Sequence, residues 1–408
     1  MRLAYGHGVV ELALPPATPV VEGPGLTPLA DPEVAVCQAL RNPIASPPLK
    51  ELVGANSKIV ILVSDSTRPT GADIFIPVLL AELEEAGVPD ENITFIVGTG
   101  AHGVLSAEEL EELLPADVRH RFQILSHDCF DQEQLTYVGT TSRGNKIRFN
   151  KLAVEADLRI LTGAVSVHPF AGFGGGRKAL FPGVAGYETI CFNHSLMLDP
   201  QAAPSILEGN PVHEDFMEGI AFVGPKFLLN SIVDEKGQIA AIVAGHVNEA
   251  HRAGTRIVLS SAAAPVSELA DTVVASAGGF PYDINLYQAV KALQNAARIV
   301  KPGGRIILIA ECSQGVGSQQ FSQWAPKRLS SAELARQLKE QFVLGKHKCY
   351  FVSEILERST VYLYSSLDMQ LVESFGFVPL TDLATAPLQG KVVVLPRATA
   401  TLPMAEVE

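Results

Sequence analysis

Residues 163–194 read GAVSVHPFAGFGGGRKALFPGVAGYETICFNH, a glycine-rich stretch that follows an apolar strand predicted over residues 158–162. Glycine adopts positive φ angles at little cost and lets backbone N–H groups approach a ligand closely. The positions that offer this freedom are Gly172, Gly174, Gly175 and Gly176. His168, Lys178 and His194 lie in the same stretch. We therefore expect this loop to hold a ligand and the rest of the chain to support it.

Two further apolar runs in the first half of the chain end in polar loops. Residues 58–63 lead into SDSTRP at 64–69, and residues 92–97 lead into GTGAHG at 98–103. Continuous apolar runs are typical of strands that are covered on both faces. Strands that alternate with helices predict an α/β protein with a mostly parallel, Rossmann-like sheet. Ligands bind beyond the carboxyl ends of such strands, so these loops are expected to share one site.

Local signals predict several individual elements. Asp31 followed by Pro32 is typical of a helix start, and Ser106 with Glu109 forms a capping box. The remaining predictions are a hairpin around Gly6-His7-Gly8, helices at 72–86 and 248–254, an antiparallel pair at 226–233 and 239–245, a strand at 271–276, a helix at 285–300, a turn at 301–304 and a strand at 305–310.

We predict two α/β domains, with the active site in the interdomain cleft. The segment SSAAAPVSELA at 260–270 is interpreted as a linker. Residues 1–260 are then the N-terminal catalytic and cofactor-binding domain, and residues 261–408 are a C-terminal lid domain. A chain of 408 residues is long enough for two or three domains.

Composition and charge exclude several classes of function. A net charge of −13 argues against nucleic acid or an anionic membrane as a partner. The 5 cysteines are widely spaced without a CxxC pair, so neither a disulfide framework nor a thiolate zinc site is expected. The N-terminal apolar run is too short for a signal peptide, and no run approaches the ~18 apolar residues of a membrane span. A cytoplasmic protein is expected.

The two loop histidines are candidates for acid/base catalysis. His102 and His168 each follow a predicted strand within a glycine-rich loop. Two histidines that face one cavity can move a proton in either direction. Asp65 has two interpretations: it can fix the tautomer of one histidine, or it can cap the following helix.

A second candidate surface lies on the helix predicted at 285–300. Tyr287 and Lys291 are four residues apart and share a helix face, with Gln288 beside them. The preceding GGFPYDIN segment favours a functional edge over an ordinary solvated face.

The motif Gly98-x-Gly100-x-x-Gly103 also matches the dinucleotide-binding fingerprint. Here, however, the next helix is predicted to start only at Ser106, after the third glycine, and a histidine occupies the motif. An NAD-dependent oxidoreductase is therefore the alternative enzyme. A non-catalytic protein that binds a hydroxyacid is the alternative outside enzymes.

Taken together, SDSTRP, GTGAHG, HPFAGFGGGRK at 168–178, His194 and YDINLYQAVK at 282–291 resemble the nickel-pincer-nucleotide lactate racemase family and its 2-hydroxyacid racemase and epimerase relatives. The resemblance spans both predicted domains. It implies an isomerase that interconverts 2-hydroxyacids by reversible hydride transfer to a pyridinium-3,5-bisthiocarboxylic acid mononucleotide nickel complex.

The resemblance also assigns roles to individual residues. Lys178 would carry the cofactor covalently, and His194 would be the protein's nickel ligand. His102 and His168 would be the acid/base pair with Asp65 in support. Arg68, Gln288 and Lys291 would hold the substrate carboxylate, with Tyr287 beside them, and Arg68 is also counted among the catalytic residues. The candidates for the nucleotide phosphate are Ser66, Thr67 and the glycines from Gly172 to Gly176.

Two departures from the family pattern leave the substrate open. Trp324, the chain's one tryptophan, lies in a Gln/Ser-rich stretch that does not align with the family's substrate-proximal tryptophan. Phe170 is predicted to project toward the substrate, where a smaller aliphatic side chain is usual for lactate. The expected partners are a small 2-hydroxyacid and the enzymes that make the cofactor, and a homodimer is compatible with the sequence.

Overall fold

The computed structural model describes residues 1–65, 69–224 and 226–405, apart from the side chain of Glu112. Two compact units form: Leu26–Leu259, called the central unit here, and Met1–Gly25 together with Ser260–Glu408, called the terminal unit. The predicted first domain included residues 1–25, whereas the structure places them in the terminal unit.

The described strands, in chain order, are β1 (Arg2–Tyr5), β2 (Gly8–Glu11), β3 (Ile59–Ser64), β4 (Ile93–Gly98), β5 (Gln123–Ser126), β6 (Leu135–Thr140), β7 (Lys146–Asn150), β8 (Leu158–Ala164), β9 (Val167–His168), β10 (Gly172–Phe173), β11 (Lys226–Val233), β12 (Ile239–Gly245), β13 (Ala263–Val266), β14 (Ala270–Ser276), β15 (Val300–Ile309), β16 (Thr360–Tyr364), β17 (Val378–Pro379), β18 (Val392–Leu395) and β19 (Leu402–Ala405).

The described α-helices, in chain order, are α1 (Pro32–Arg41), α2 (Leu49–Leu52), α3 (Ala72–Glu85), α4 (Ala107–Leu113), α5 (Ala116–Arg121), α6 (Lys151–Glu155), α7 (Tyr187–Ser195), α8 (Pro211–Ala221), α9 (Val247–Ala262), α10 (Leu286–Ala296), α11 (Gln319–Trp324), α12 (Ser331–Glu340), α13 (Lys346–Leu356) and α14 (Met369–Ser374).

The central unit is organised around a six-stranded sheet in the order β12-β11-β8-β3-β4-β5. Neighbouring strands from β11 to β5 are parallel, and the edge strand β12 pairs antiparallel with β11. The apolar runs of β3, β4 and β8 are buried because helices and loops cover both faces. This confirms the predicted fold class.

Helix starts follow the local signals in the sequence. The Asp31 carboxylate accepts a hydrogen bond from the Val34 N–H at the start of α1, with Pro32 in the first turn. Ser106 and Glu109 form the predicted capping box at the start of α4.

The terminal unit contains a five-stranded parallel sheet in the order β17-β16-β15-β14-β18. Residues 1–25 join it through specific contacts. The Ser276 hydroxyl donates to the Ala4 carbonyl at 2.7 Å, and the Gly6 N–H donates to the Asp283 carboxylate at 2.7 Å. These partners lie more than 270 residues apart in the chain, so local sequence patterns cannot predict the pairing.

Residues 260–270 are not a linker, which corrects the prediction. The helix expected at 248–254 continues as α9 to Ala262, and β13 follows directly. β13 pairs in parallel with β19 near the end of the chain, and this pairing gives the small residues of the segment a regular structure. The turn expected at 301–304 is likewise included in β15. No helix in the described ranges is long and apolar enough to cross a membrane.

Candidate active site

Three neighbouring strands of the central unit place three of the predicted catalytic residues, Asp65, His102 and His168, at one edge of its sheet. β8, β3 and β4 lie side by side in that order. Asp65 follows β3, His102 lies in the loop after β4, and His168 lies in the small β9–β10 hairpin after β8. The parallel arrangement places all three at the carboxyl edge, where α/β proteins bind ligands.

Asp65 holds the ring of His102. Asp65 Oδ2 lies 2.8 Å from His102 Nδ1, with 5% of the Asp65 side chain and 48% of the His102 side chain exposed. A carboxylate accepts hydrogen bonds, so the ring proton lies on Nδ1, and Nε2 keeps a lone pair. Helix α3 begins after Gly71 without a side-chain cap, so Asp65 does not cap it. The tautomer-fixing interpretation of Asp65 is the one that the geometry supports.

His168 is held by the main chain instead. Its Nδ1 accepts hydrogen bonds from the N–H groups of Ala171 at 3.2 Å and Phe170 at 3.5 Å. β9 and β10 pair antiparallel, with His168 opposite Gly172, which returns the chain onto the ring. Because Nδ1 accepts, the neutral ring carries its proton on Nε2.

Phe170 lies between His168 and His194. Its ring centroid is 4.6 Å from that of His168 and 5.3 Å from that of His194, and both contacts are edge-to-face. Phe170 is 5% exposed, so the protein itself covers most of its side chain. The predicted contact between Phe170 and substrate stays a prediction.

Phe216 on α8 connects His194 with Lys178. The Lys178 Nζ is 5.8 Å from the Phe216 ring centroid, and the ring of His194 is 6.2 Å from it. His194 lies near the end of α7 and is buried, whereas Lys178 lies in a short 3-10 turn and is half-buried. The structure thus brings His168, His194 and Lys178 into one cluster with Phe170 and Phe216.

The loop of His102 also contacts the segment after Lys178. The Gly100 N–H donates to the Gly183 carbonyl at 2.9 Å, and the Gly183 N–H donates to the Lys178 carbonyl at 3.0 Å. The His102 loop and the glycine-rich loop therefore support each other through their backbones.

Close packing explains several glycines of the loop. A Cβ on Gly172 would lie 2.1 Å from the Ile206 carbonyl oxygen, and one on Gly176 would lie 2.6 Å from the His251 ring. Gly175 and Gly176 also have positive φ angles of 68° and 58°. These positions need glycine because the loop packs against the protein itself. A role of the glycines in phosphate binding stays a prediction.

Sequence reasoning did not identify Asn230 as a residue that supports the loop. Asn230 lies on β11 and is fully buried, and its Oδ1 accepts a hydrogen bond from the Gly176 N–H at 2.6 Å. A signal was present, because an asparagine in the apolar run KFLLNSIV needs a buried hydrogen-bond partner.

Arg177 forms an internal positive charge beside Lys178. It is fully buried; Nη2 donates to the Ala171 carbonyl at 2.8 Å, and Nη1 lies 3.1 Å from His251 Nε2. Burial lowers the pKa of the guanidinium to about 9, so it stays charged at neutral pH. Burial, together with the Arg177 charge, lowers the pKa of His251 well below its ordinary value, so His251 is neutral.

The other predicted residues divide into two sets. Tyr287, Gln288 and Lys291 lie on α10 of the terminal unit and are half-buried. Burial raises the pKa of the Tyr287 hydroxyl to about 12, so this hydroxyl stays protonated. The predictions for Ser66, Thr67 and Arg68 fall outside the described residues.

Comparison with known proteins identifies the family. The lactate racemase N-terminal domain matches residues 5–205, and the lactate racemase C-terminal domain matches residues 266–393. The lactate racemase of Thermoanaerobacterium thermosaccharolyticum is 32% identical over 361 residues, which cover 87% of this chain and 84% of that protein. The chain belongs to the lactate racemase family. The lactate racemase of Lactiplantibacillus plantarum is 31% identical over 378 residues, 88% of each chain.

Solved structures agree with this assignment. The lactate racemase apoprotein from T. thermosaccharolyticum superposes with a TM-score of 0.92 at 29% identity over 99% of each chain. A Thermotoga maritima protein shares the fold with a TM-score of 0.69 at 18% identity, covering 94% of this chain and 100% of that one. As a member of the lactate racemase family, the chain is an isomerase.

Membership of the lactate racemase family implies a cofactor, and the residues present fit the predicted one. In the part of the chain that the structure describes, no group of three or more His, Cys, Asp or Glu side chains could hold a metal ion. The fit therefore depends on single side chains. The rings of Phe170 and Phe216 confine the imidazole of His194, and the primary amine of Lys178 contacts the same Phe216 ring. An imidazole that could bind a metal and an amine that could carry the cofactor thus lie beside the same aromatic ring.

Proposed function

We propose that this chain is a nickel-pincer-nucleotide-dependent racemase or epimerase of a 2-hydroxycarboxylic acid. One observation carries the proposal: two histidines with differently held rings follow β4 and β8, the strands on either side of β3, and His168 lies in the cluster that also holds Lys178 and His194. Family membership supplies the class of reaction.

Lys178 and His194 are the residues that would hold the cofactor in this proposal. Lys178 would bind it covalently through its amine, and His194 would donate one nitrogen ligand to nickel, an ion that accepts imidazole ligands in tetragonal sites. Bound there, the cofactor would supply a reversible acceptor for the hydrogen on the α-carbon, which leaves with its electron pair. Other enzymes must supply this cofactor.

Hydride removal suits this class of substrate. The α-C–H of a 2-hydroxycarboxylate is very weakly acidic, because the resulting anion would lie beside a carboxylate that is already charged. When the α-hydrogen leaves as hydride and the hydroxyl loses a proton, no such carbanion forms. The protein then has to move only the hydroxyl proton.

His102 and His168 would move this proton. The lone pair on His102 Nε2 can accept it, and Asp65 balances the charge that the ring gains. His168 would serve the opposite face, so that the two enantiomers are handled by different histidines; to take a hydroxyl proton there, its ring would first have to change to the tautomer with the proton on Nδ1. The return of hydrogen to the other face of the planar 2-oxoacid would complete the inversion.

The substrate carboxylate would be held by Arg68, Gln288 and Lys291, with Tyr287 adjacent. Ser66, Thr67 and the backbone of residues 172–176 remain the candidates for the nucleotide phosphate. The curated relatives are lactate racemases, so lactate is the first substrate to test. A larger or aromatic 2-hydroxyacid is the second class, because the resemblance implies a smaller aliphatic side chain at the position of Phe170 when lactate is the substrate.

The experiment is co-expression with cofactor-making enzymes, followed by intact-mass and peptide mass spectrometry and a racemisation assay over a panel of 2-hydroxyacids. We expect a mass adduct on the peptide that contains Lys178, and interconversion of at least one substrate. The Lys178→Ala variant should lack the adduct, whereas Lys226→Ala, which changes a lysine elsewhere in the central unit, should retain it. The absence of any adduct from the wild type, together with saturable NAD(H) binding, would refute the proposal.

A further inference from the structure

Helix α13 of the terminal unit begins with two buried lysines that each face an aromatic ring. Lys346 is 4% exposed and Lys348 is 7% exposed. The Lys346 Nζ lies 3.9 Å from the ring centroid of Trp324, and the Lys348 Nζ lies 3.8 Å from that of Tyr287. Lysine is rarely buried without an acidic partner, so this pair needs an explanation.

Lys348 has an unusual set of partners. Its Nζ donates to the Tyr287 carbonyl and lies over the ring of the same residue, and among the described residues no carboxylate pairs with it. Burial lowers the pKa of its amine well below the ordinary value, and the charge of Lys291 adds to this effect. A buried amine of this kind costs stability relative to an apolar side chain of similar length. Such costs are concentrated at functional sites.

The contacts of Lys348 fix the first turn of α10. That turn is also tied down by the Tyr287 N–H, which donates to the Val316 carbonyl at 3.0 Å, and by the ring of Phe321, 5.8 Å from the Tyr287 ring. Lys291 follows one helical turn later on the same face. A shift of Tyr287 would therefore move Lys291 as well.

The topology places these residues at the ligand-binding edge of the terminal sheet. β14, β15 and β16 are parallel neighbours, with α10 between β14 and β15 and α13 directly before β16. Helices that connect parallel strands run back along the sheet, so α10 and α13 both begin at its carboxyl edge. Ligands of α/β proteins bind at this edge.

We propose that Lys348 is a positioning residue for the substrate carboxylate, because it holds Tyr287 and the first turn of α10 so that Lys291 can reach that group. This inference depends on the proposed function, in which Lys291 binds the carboxylate. Lys348 itself need not touch the substrate.

The test compares two matched variants of the cofactor-loaded protein. Lys348→Met keeps the length of the side chain and removes the amine at Tyr287. Lys346→Met removes the amine over Trp324 from a lysine of similar overall exposure, two residues earlier on the same helix. We expect Lys348→Met to raise KM for the 2-hydroxyacid about tenfold with kcat within about threefold of wild type, and Lys346→Met to leave KM unchanged. Equal KM effects in both variants, or none in Lys348→Met, would overturn the inference.

Crystal structures of both variants without cofactor supply a second measurement that does not depend on activity. In Lys348→Met, Tyr287 and the first turn of α10 should be displaced, and in Lys346→Met they should not. An undisplaced turn in Lys348→Met refutes the inference whether or not the wild type is active. A wild type that racemises no 2-hydroxyacid, combined with a displaced turn, refutes the proposed function and the carboxylate role but leaves the positioning of Tyr287 standing.

Discussion

The loops that carry His102 and His168 hold the same side chain in two different ways. In the loop after β4, the carboxylate of Asp65 lies 2.8 Å from His102 Nδ1, and nearly half of the histidine side chain is exposed. In the β9–β10 hairpin, His168 Nδ1 accepts from main-chain N–H groups, and Phe170 packs against its ring. His102 thus depends on one replaceable side chain, whereas His168 depends on the backbone and on aromatic packing.

This difference determines where the ring protons lie. Nε2 carries a lone pair in His102 and a proton in neutral His168, because their Nδ1 atoms face an acceptor and donors, respectively. At Nε2 the two neutral rings therefore differ: His102 can accept a hydrogen bond there and His168 can donate one. Loss of the Nε2 proton from neutral His168 would leave an imidazolate, so as the rings are held here only His102 is ready to take a hydroxyl proton. His168 would act as a base after it changes tautomer, or as an acid after it gains a second proton.

The largest effect is expected when either histidine is removed. His102→Ala and His168→Ala should each lower racemisation by a factor on the order of 10²–10⁴, the usual contribution of a general acid or base. The assay is interconversion of the best substrate from the panel, with intact mass as the control for cofactor on Lys178. If one variant keeps activity within tenfold of wild type while the other does not, a single histidine is sufficient and the comparison fails.

A smaller effect is expected from Asp65→Asn. The amide preserves the size of the side chain but removes the negative charge at His102 Nδ1, so kcat should fall about 10–100-fold, as for other residues that orient a functional histidine. The control is Asp128→Asn, an aspartate whose carboxylate accepts from the Phe130 N–H in another loop. Full activity in Asp65→Asn would mean that His102, like His168, is oriented mainly by its backbone.

Local signals were sufficient for much of the central unit. The apolar runs of β3 and β4, the Asp31-Pro32 start of α1 and the capping box of α4 act within a few residues, and the structure confirms them. The pairing of β11 with β12 was also predictable, because only a short turn separates these strands.

Long-range partners account for what could not be predicted. β13 forms because it pairs with β19, about 140 residues later in the chain. Residues 1–25 belong to the terminal unit because they contact partners such as Asp283. Within the site, Asp65, His102 and His168 could be predicted to lie near one another, because ligands of α/β proteins bind beyond the carboxyl ends of parallel strands. It could not show that Phe170 separates two histidines or that Arg177 is buried, because both facts depend on how α7, α8 and the glycine loop pack.

Phe170→Leu tests whether packing against the Phe170 ring helps to hold His168. The smaller side chain loosens the contacts with His168 and His194, so we expect a fall in kcat of about 3–10-fold and a loss of stability of about 1–2 kcal/mol. Imidazole NMR resonances of His168 should shift while those of His102 do not. The matched control is Phe149→Leu, a fully buried phenylalanine packed on Phe181, which should lose similar stability without a change in kcat. A shift at both histidines would show that the two loops are coupled.

The smallest effect is expected at His213, a buried histidine of the central unit that lies outside the two loops. Its replacement should change only the stability of the protein. Burial, aided by the charges of Arg177 and Arg252, lowers the pKa of His213 from 6.5 to about 3. Between these pH values the unfolded chain binds a proton that the folded protein does not. The contribution of His213 to the free energy of unfolding is therefore fully present above pH 6.5 and is lost as the pH falls toward 3. The loss for this group is up to about 1.4 kcal/mol per pH unit.

His213→Leu should reduce the slope of the unfolding free energy against pH by the contribution of about one proton, because leucine cannot titrate. Leucine also fills a similar volume, so the packing around position 213 should be kept. The measurement is the free energy of unfolding in urea at several pH values between 4 and 7, with the exposed His120→Leu as control. Racemisation at neutral pH should stay near the wild-type rate, since His213 is neutral there and belongs to neither loop. An unchanged slope in His213→Leu would show that His213 is already protonated in the folded protein, and the contrast between buried and loop histidines would then fail.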